Sequence, residues 1–471
     1  MKIPPELHAV LHAVHDAGGR PRLVGGCVRD WLLGLEAKDY DVEVGGLNLD
    51  TLHRLLAPFG ATDLVGRSFG VIKLRLGEAD YDFSLPRRES KIGAGHRGFR
   101  IDPEPNLDDE AAAARRDFTI NAISFDPLDG GIIDPLLGEK DLRAGILRHA
   151  GPSFVDDPLR VLRAMQFAAR FDFKLAPETI ALCAEMADQH AELPLERIWG
   201  EWDKWAVKSV RPSRGLEVLA QTGWIRHYPE IASMRGTPQE AQWHPEGDVF
   251  VHTQHCLNAL VASEGWQASQ PQRRRVLSFA VLAHDFGKPQ TTEYADKRGV
   301  MRWVSPGHES AGGPLAETFM QRIGAPKDLH EPVRALVVHH MLHHRENQPN
   351  YTDTQMRRLA RRLIPATIED LCEVMSADAC GRPPIAPNSS LRLIAEMRTQ
   401  AQALALRTQP PQPILLGRHL IARGMQAGPS FKPLLHEAFE AQLDGAFRDE
   451  PGALQWLDQR LASSPAEEAG P

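Results

Sequence analysis

Cysteine is scarce in this chain, which has five among 471 residues and no CxxC pair. The five are Cys27, Cys183, Cys256, Cys372 and Cys380. This scatter excludes a disulfide framework and a zinc ribbon, because both need cysteines at short, regular spacing. We therefore predict that the five thiols are small buried side chains.

Long apolar runs are missing as well. No stretch approaches the roughly 20 apolar residues that a membrane helix needs. The opening residues, MKIPPELHAV, lack the basic and apolar regions of a signal peptide. These absences predict a cytoplasmic protein that makes no contact with a membrane.

An excess of basic residues, the usual mark of a nucleic-acid-binding chain, is also absent, since the net charge is −8. Any contact with RNA has to be local, and the basic runs at residues 273–276 and 356–363 are candidates. Solvated helical faces explain these runs equally well. The composition, 42% hydrophobic and 25% charged, is that of a globular protein. The length predicts about three domains.

Strand-like and helical patterns follow one another in the first 150 residues. Residues 40–44, 70–76 and 79–85 alternate polar and apolar side chains, and an amphipathic helix stands between the first two. Residues 86–110, rich in glycine, proline and charge, read as a long loop. Helical patterns dominate from residue 156 onward. The chain is therefore predicted to fold as an α+β domain followed by helices.

Two aspartates stand close together on the first predicted strand. Asp39 and Asp41 are two positions apart, which on a strand places both carboxylates on one side, where they can share divalent ions. Asp82, on a nearby predicted strand, is a candidate third ligand. The alternative is a surface strand that carries ordinary alternating charge.

A glycine pair precedes these aspartates at the start of a predicted helix. The backbone N–H groups of Gly25 and Gly26 can hold a phosphate chain there, and Arg29 can offset its charge. Taken alone, the pair is also explained as an ordinary turn.

Seven motifs appear in the order known from one family. They are LVGGCVRDWLLG with KDYDVEV, SFGVIKL, LPRRESKIGAGHRGF, RRDFTINAISFD, GGIIDPLLGEKDLRAGILRH, DDPLRVLRAMQFAARF and LERIWGEWDKW. Together they resemble the class II CCA-adding enzyme and bacterial poly(A) polymerase family. The resemblance implies an α+β fold, with a polymerase-β-like nucleotidyltransferase head that contains a small mixed sheet. An all-α neck and body would follow.

The resemblance also implies roles for particular residues. Asp39 and Asp41 would be catalytic and bind Mg²⁺, with Asp82, the candidate from the strand pattern, as the third catalytic carboxylate. The implied nucleotide-binding residues are Gly26, Arg29, Arg116, Asp117, Asn121, Asp157, Arg160 and Arg163. Asp157 and Arg160 would pair with the base edge of CTP or ATP, because an aspartate offers acceptors and an arginine offers donors. Asp156 stands where the family most often has a glutamate.

Histidines and aspartates on separate predicted helices form a second constellation. The candidate ligands are His252, His284, Asp285 and Asp378, with His308 as a possible addition. Imidazole and carboxylate together suit Mg²⁺, Mn²⁺ or Ni²⁺. The segment LAHDFGKP resembles the HD phosphohydrolase superfamily, whose members related to CCA enzymes hydrolyse phosphomonoesters and 2′,3′-cyclic phosphates.

Other histidines compete with these candidates. His255 is the alternative to His252. The cluster of His339, His340, His343 and His344 is predicted to be mostly an exposed helix.

The predicted protein is a tRNA nucleotidyltransferase that adds the 3′-terminal CCA from CTP and ATP without a nucleic-acid template. Its predicted parts are a head (1–150), a neck that recognises the base (151–235), an HD phosphohydrolase domain (236–390), a C-terminal helical region (391–462) and a disordered tail (463–471). Within the family, the alternatives are an A-adding enzyme and a poly(A) polymerase. The alternative of another class is an HD phosphohydrolase for RNA ends with a head that only binds tRNA. The sequence leaves the oligomeric state open.

Overall fold

The computed structural model describes residues 1–37, 39–65, 70–91, 99–344 and 351–463. The chain forms two compact units, Met1–Ala232 and Ser233–Pro471. The division lies close to the boundary predicted after residue 235. A mixed sheet in the first unit and a helical second unit confirm the predicted α+β class.

The first unit is built on a seven-stranded mixed sheet with the order β3-β4-β5-β2-β1-β8-β9. These strands are β1 (Arg20–Val24), β2 (Asp41–Gly45), β3 (Ala61–Val65), β4 (Val71–Leu76), β5 (Ala79–Ser84), β8 (Ser124–Phe125) and β9 (Ile132–Ile133). Val42 and Val44 of β2 are fully buried in the core. Strand β2 pairs antiparallel with β1 and parallel with β5, in a register that sets Asp41 beside Asp82.

Two smaller pairs of strands are separate from this seven-stranded sheet. They are β6 (Arg87–Lys91) with β7 (Phe99–Pro103), and β10 (Ile146–Leu147) with β11 (Lys174–Leu175). The prediction that residues 86–110 form a loop is therefore wrong for its described part, and residues 92–98 lie outside the described residues. Strand β6 pairs with β7 from Arg87↔Pro103 to Lys91↔Phe99, so composition within either segment does not reveal the pairing.

Ten α-helices lie in the described part of the first unit. They are α1 (Pro5–Asp16), α2 (Gly26–Leu32), α3 (Leu49–Leu56), α4 (Asp109–Ala114), α5 (Gly138–Ala144), α6 (Leu159–Phe171), α7 (Pro177–Glu185), α8 (Leu195–Lys208), α9 (Pro212–Gln221) and α10 (Pro229–Ala232). Helix α6 packs against α8 and α9. Its apolar face is buried, while Arg160 and Arg163 remain partly exposed on the other face.

In its described residues the second unit is helical apart from one hairpin, β12 (Glu293–Lys297) with β13 (Val300–Val304). Its first eight helices are α11 (Val249–Ala262), α12 (Glu264–Gln267), α13 (Pro271–Ala283), α14 (Lys288–Thr291), α15 (His308–Arg322), α16 (His330–His339), α17 (Asp353–Leu363) and α18 (Ile368–Cys380). Every side chain from Val276 to Ala283 in α13 is buried. Because His284 and Asp285 directly follow this stretch, both enter the interior of the unit.

The last helices of the second unit are α19 (Asn388–Ala403), α20 (Gly417–Ala422), α21 (Phe431–Asp444) and α22 (Glu450–Ala462). Helices α20 to α22 share their own apolar cluster. Helix α17 packs against α21, where Arg361 pairs with Glu440 and Arg358 pairs with Asp444 at 2.7 Å. Two arginines of the basic run at 356–363 therefore serve packing within the unit.

The membrane prediction can be compared with the helices themselves. Among the described residues, the helices all fall short of the length and apolar character needed to cross a bilayer.

Candidate functional site

Three carboxylates of the first unit lie near one another at the start of β2. Asp41 and Asp82 are direct neighbours on the parallel strands β2 and β5. Asp39 lies in a bend before β2 and not within it, so the predicted two-residue strand spacing is wrong for Asp39. Although solvent reaches Asp41, partial burial raises the pKa of its carboxyl, and Asp82 and Asp39 add to that rise. Crowded carboxylates of this kind suit a divalent cation.

A glycine turn lies beside Asp41. Gly25 has φ 73°, a conformation that favours glycine, immediately before α2. A Cβ atom there would lie 3.3 Å from Nη1 of Arg116 and 3.6 Å from Oδ2 of Asp41. The turn therefore approaches both a carboxylate and a guanidinium closely, and a side chain at Gly25 would crowd them. A bare backbone turn between these two charges suits a phosphate chain that approaches with its metal.

Arg29 lies beneath this turn and is 3% exposed. Its Nε donates to Asp30 Oδ1 at 2.8 Å, and its Nη1 donates to Asn121 Oδ1 at 2.5 Å. The guanidinium carbon also lies 4.8 Å from the centre of the Phe171 ring. In this structure Arg29 joins α2 to α6 and to Asn121, which is a positioning arrangement. Its predicted contact with the triphosphate stays a prediction.

Asp117 is the centre of a buried polar network that includes three predicted nucleotide-binding residues. Arg163 donates to its Oδ2 from Nε at 2.8 Å and from Nη2 at 2.6 Å, and Asn121 Nδ2 donates to its Oδ1 at 2.9 Å. Burial alone would raise the pKa of Asp117, but Arg163 and Asn121 hold it below the ordinary value. The carboxylate is thus fixed as an anion whose orientation is set from two sides.

Asp157 and Arg160, predicted to read the base edge, are held by different groups. Asp157 accepts two hydrogen bonds from Arg197 of α8, at 3.1 and 2.8 Å. Arg160 donates to the backbone oxygens of Ser153 at 2.9 Å and Arg115 at 2.8 Å. The structure brings Asp157 and Arg160 onto neighbouring positions but does not pair them. Sequence reasoning missed Arg197, although it lies within the motif LERIWGEWDKW.

A second group of side chains converges inside the second unit, and we call it the histidine centre. It consists of His252, His284, Asp285, His308, His340 and Asp378. All six are at most 5% exposed. They come from five places in the chain: α11, the segment after α13, the start of α15, the turn after α16, and α18. The structure thus brings together all five predicted HD ligands and adds His340.

Hydrogen bonds fix the ring orientation of these histidines. Nδ1–H of His284 donates to the Val281 oxygen at 2.7 Å, and Nδ1–H of His252 donates to Glu246 Oε1 at 2.8 Å. The two Nε2 atoms face each other at 3.4 Å and are acceptors in the neutral rings that metal binding requires. A cation between them would offset the repulsion of the two lone pairs. The same pattern in several rings is typical of metal-ligating histidines.

His308 and His340 repeat this arrangement on the other side of Asp285. Their Nδ1 atoms donate to backbone oxygens at 2.8 and 2.6 Å, and their Nε2 atoms lie 3.3 Å apart. Asp285 Oδ1 lies 3.3 Å from His308 Nε2, while Asp285 Oδ2 lies 3.2 Å from His284 Nε2. Asp285 therefore stands between two sets of donors, and the site fits one or two divalent ions.

The histidine cluster at 339–344 is not mostly an exposed helix, so that prediction is wrong. His340 and His343 are 0% and 3% exposed. Helix α16 ends at His339, and a 3-10 turn over His340–His343 carries the chain into the interior. His344 is exposed, with Nε2 3.5 Å from Asp378 Oδ2.

The cysteine prediction holds for four residues and is wrong for Cys380, which is exposed at the end of α18. His255, the alternative to His252, is only half-buried. His252 occupies the position in the histidine centre, one turn of α11 before Cys256.

Comparisons with known proteins match two protein-family models to stretches of this chain. The family model of the poly A polymerase head domain matches residues 21–148, and that of the probable RNA and SrmB-binding site of polymerase A matches residues 172–235. A multifunctional CCA protein of Nitrosococcus oceani is 37% identical over 367 residues, which are 76% of this chain and 84% of the relative. One from Chromobacterium violaceum is 39% identical over 344 residues, 72% of this chain and 78% of the relative. The chain belongs to the class II CCA-adding enzyme family.

Solved structures of CCA-adding enzymes share the fold. The Bacillus stearothermophilus CCA-adding enzyme in complex with CTP matches with a TM-score of 0.65 at 21% identity, covering 98% of this chain and 99% of that one. The Thermotoga maritima CCA-adding enzyme complexed with tRNA_CCA matches with a TM-score of 0.59 at 20% identity, covering 98% and 96%. Nucleotidyltransferases of the CCA-adding family use divalent metal ions, in agreement with the carboxylates at β2 and β5.

Glu246 supports the histidine centre of this CCA-adding family member and was missed by sequence reasoning. Its Oε1 accepts from Nδ1 of His252 at 2.8 Å and of His244 at 2.9 Å. Burial opposes ionisation of Glu246, but these two histidines lower its pKa to about 2. The signal in the sequence is the segment HPEGD, in which Glu246 stands six residues before His252.

We expect Glu246→Gln to weaken metal binding at the histidine centre by about 10-fold to 100-fold, because the carboxylate no longer orients His252. Isothermal titration with Mn²⁺ or Zn²⁺ measures the change. Glu264→Gln, at an exposed position of α12, is the matched control and keeps wild-type affinity. Equal affinities for the Glu246 variant and the wild type would contradict the orienting role.

Proposed function

We propose that the first unit adds the 3′-terminal CCA to tRNA from CTP and ATP, with amino acid side chains in place of a nucleic-acid template. The observation that carries the proposal is the close grouping of Asp41, the Gly25 turn and Arg116. It holds a carboxylate for metal, a backbone turn for phosphate and a guanidinium for charge. The names of the relatives and the CTP-bound and tRNA-bound structural neighbours support the choice of substrates.

Asp39, Asp41 and Asp82 would hold Mg²⁺ in this site. When bound, Mg²⁺ makes the tRNA 3′-hydroxyl easier to deprotonate and offsets the negative charge of the departing pyrophosphate. The Gly25 turn orients the triphosphate so that the hydroxyl attacks the α-phosphate in line. Arg116, next to that turn, stabilises the additional charge of the transition state.

Base selection is assigned to the network on α6 and α8. An aspartate accepts the amino hydrogens of C or A, and an arginine donates to their ring acceptors, so that G and U leave groups unpaired. Asp157 can do this only if its carboxylate is held in one orientation. Arg197 provides that hold through two hydrogen bonds.

We expect Arg197→Met to lower the preference for CTP over UTP by between about 10-fold and 100-fold, because the Asp157 carboxylate becomes free to rotate. The ratio of kcat/KM values for single-nucleotide addition to tRNA lacking its CCA end measures this. Arg226→Met removes an exposed ion pair with Asp188 in the same unit and leaves the ratio unchanged. A loss of rate without loss of preference would mean that Arg197 only stabilises the fold.

For the second unit we propose hydrolysis of phosphomonoesters and 2′,3′-cyclic phosphates at RNA ends. His252, His284, Asp285 and Asp378 would hold a divalent ion, Mg²⁺, Mn²⁺ or Ni²⁺, and His308 and His340 provide donors for a second. When bound, the ion supplies an activated water and polarises the phosphate. Lys288 Nζ, 2.8 Å from Asp285 Oδ2, fixes that carboxylate between the two donor sets.

The proposed parts are a head (1–150), a neck (151–235), an HD domain (236–390) and a C-terminal helical region (391–462), in a cytoplasmic protein. The predicted disordered tail, 463–471, lies outside the described residues except for Ser463.

Three tRNA substrates test the nucleotide-adding function. Purified protein is incubated with tRNA that ends at the discriminator base, after one C or after CC, together with labelled CTP or ATP. Incorporation of both nucleotides, in the order C, C, A, is the expected result. Addition of ATP only to the CC-ended tRNA would make the protein an A-adding enzyme. Long A tails would make it a poly(A) polymerase. No incorporation, together with phosphate release, would leave only the HD phosphohydrolase.

A further inference from the structure

One side chain at the histidine centre has no role in the function proposed above. Cys256 is fully buried on α11, one helical turn after His252. Its Sγ lies 3.3 Å from Nε2 of His252. One ligand atom from each of Cys256, His252, His284 and Asp378 lies within 4.8 Å of the other three.

We propose that Cys256 is a thiolate ligand of the metal at the histidine centre, together with His252, His284 and Asp378. This inference rests on the proposed HD function, because it assumes that a metal binds there. It identifies a donor of a chemical class that the proposed ligand set lacks.

The four donors lie at separations expected of ligands that share one ion, and Asp285 of the proposed ligand set adds a fifth donor, since its Oδ2 lies 3.2 Å from His284 Nε2. With metal–nitrogen bonds of about 2.0 to 2.1 Å and metal–sulfur bonds of about 2.3 Å, neighbouring ligands of a tetrahedron are about 3.4 to 3.6 Å apart. The structure has 3.4 Å between Nε2 of His252 and of His284. It has 3.3 Å from His252 Nε2 to Cys256 Sγ and 3.1 Å from His252 Nε2 to Asp378 Oδ1. These three contacts, all made by His252, equal the tetrahedral edges or are up to about 0.3 Å shorter, as expected when a fifth donor narrows the angles between ligands.

Independent of the cysteine, the centre holds buried acceptors that face one another. His343 is 3% exposed, and its Nδ1 donates to the His340 oxygen at 3.0 Å, so its Nε2 is an acceptor. That Nε2 has no hydrogen-bond partner and lies 3.4 Å from Asp378 Oδ2, another acceptor. Facing acceptors in a buried site are costly unless a cation lies nearby.

The surrounding backbone holds the thiol in this place. A Cβ atom at Gly381 would lie 2.2 Å from Cys256 Sγ, so only glycine lets α18 approach so closely. The Gly381 oxygen also lies 3.2 Å from Nδ1 of His252. The close approach keeps the sulfur directed toward the donors of His252 and Asp378.

A thiolate changes which metal the centre prefers. Thiolate and imidazole favour Zn²⁺, Ni²⁺ or Co²⁺, whereas Mg²⁺ prefers an all-oxygen site. Binding then releases the thiol proton to solvent as the metal–sulfur bond forms. We therefore expect a borderline transition metal at the histidine centre in place of the Mg²⁺ or Mn²⁺ that the imidazole and carboxylate set allows.

Cobalt substitution of the full-length protein tests this inference. Co²⁺ bound to a thiolate has an intense near-ultraviolet charge-transfer band that oxygen and nitrogen ligands do not produce. We expect the band in the wild type and its loss in Cys256→Ser. Metal affinity should also fall by at least about 10-fold, the lower end of the cost of losing even a supporting contact. Cys27→Ser, near Asp41 in the first unit, and Cys380→Ser, at the exposed thiol, are the matched controls and keep the band.

The results separate the two proposals. Wild-type protein that binds Co²⁺ in a His284-dependent manner but lacks the band would overturn the cysteine ligand and leave the HD function standing. Co²⁺ binding that is unchanged in a double variant, His284→Ala with His308→Ala, would mean that no metal binds at the histidine centre, and would overturn both. Zinc X-ray absorption of the wild type needs no variant and should detect sulfur at about 2.3 Å. Its absence overturns the ligand even if Cys256→Ser fails to fold.

Discussion

Asp41→Asn lowers kcat/KM for the addition of CTP and ATP by at least about 1,000-fold, or roughly 4 kcal/mol of transition-state stabilisation. The substitution keeps the size of the side chain but removes the charge that holds the metal. It also removes the carboxylate next to the Gly25 turn, since a Cβ atom at Gly25 would lie 3.6 Å from Asp41 Oδ2. The loss should appear for both nucleotides alike, because in the proposed site Asp41 lies at the phosphates, whereas Asp157 and Arg160 read the bases.

Single-turnover incorporation of labelled nucleotide into tRNA lacking its CCA end measures this loss. Asp80→Asn is the matched control, since Asp80 lies on β5 two positions before Asp82 and forms an exposed pair with Arg75 at 2.8 Å. We expect wild-type activity in that control. Addition by Asp41→Asn within tenfold of wild type would remove Asp41 from the reaction centre.

The order of motifs predicted the fold of the first unit well. It predicted the local geometry around the aspartates of that unit less well. Val42 and Val44 alternate with polar residues, which correctly predicts strand β2. Strand β2 begins at Asp41 because its pairing with β1 ends there, where Asp41 is the partner of Val24. Asp39 lies beyond this pairing. Strand ends are set by such neighbours, and the sequence within the strand does not contain that information.

The sequence predicted most of the residues that meet in the histidine centre, but not all of them. His284 and Asp285 stand out because an apolar helix leads directly into them. His340 and His343 were misjudged because four histidines in six residues suggest a polar surface. Their burial depends on where α16 stops and on the turn that follows it. The sequence did not indicate roles for Cys256 and Arg197, because these roles depend on contacts with residues far away in the chain.

Asp285→Asn abolishes phosphate release from phosphomonoesters and 2′,3′-cyclic phosphates, with an expected loss of at least about 1,000-fold. Asp285 is the one carboxylate in the described part of the histidine centre that lies between both donor sets. Its Oδ2 lies 3.2 Å from His284 Nε2 and its Oδ1 lies 3.3 Å from His308 Nε2. An amide offers one weak acceptor to one side only, so both sets lose their shared anion at once.

Phosphate release from a 2′,3′-cyclic nucleotide measures the loss, and metal content after dialysis shows whether the ion itself has gone. Asp328→Asn, at an exposed position of the same unit that accepts a hydrogen bond from Gln272, is the matched control. Wild-type hydrolysis by Asp285→Asn would contradict a role for the histidine centre in that reaction.

The paired variants distinguish the two classes of function proposed for the chain. Asp285→Asn should still add C, C and A, and Asp41→Asn should still release phosphate, because the two aspartates lie in separate compact units. If the head only bound tRNA for a phosphohydrolase, the wild type would add no nucleotide, and Asp41→Asn would therefore not lower nucleotide addition. Retained addition in one variant and retained hydrolysis in the other therefore require two reaction centres in one chain.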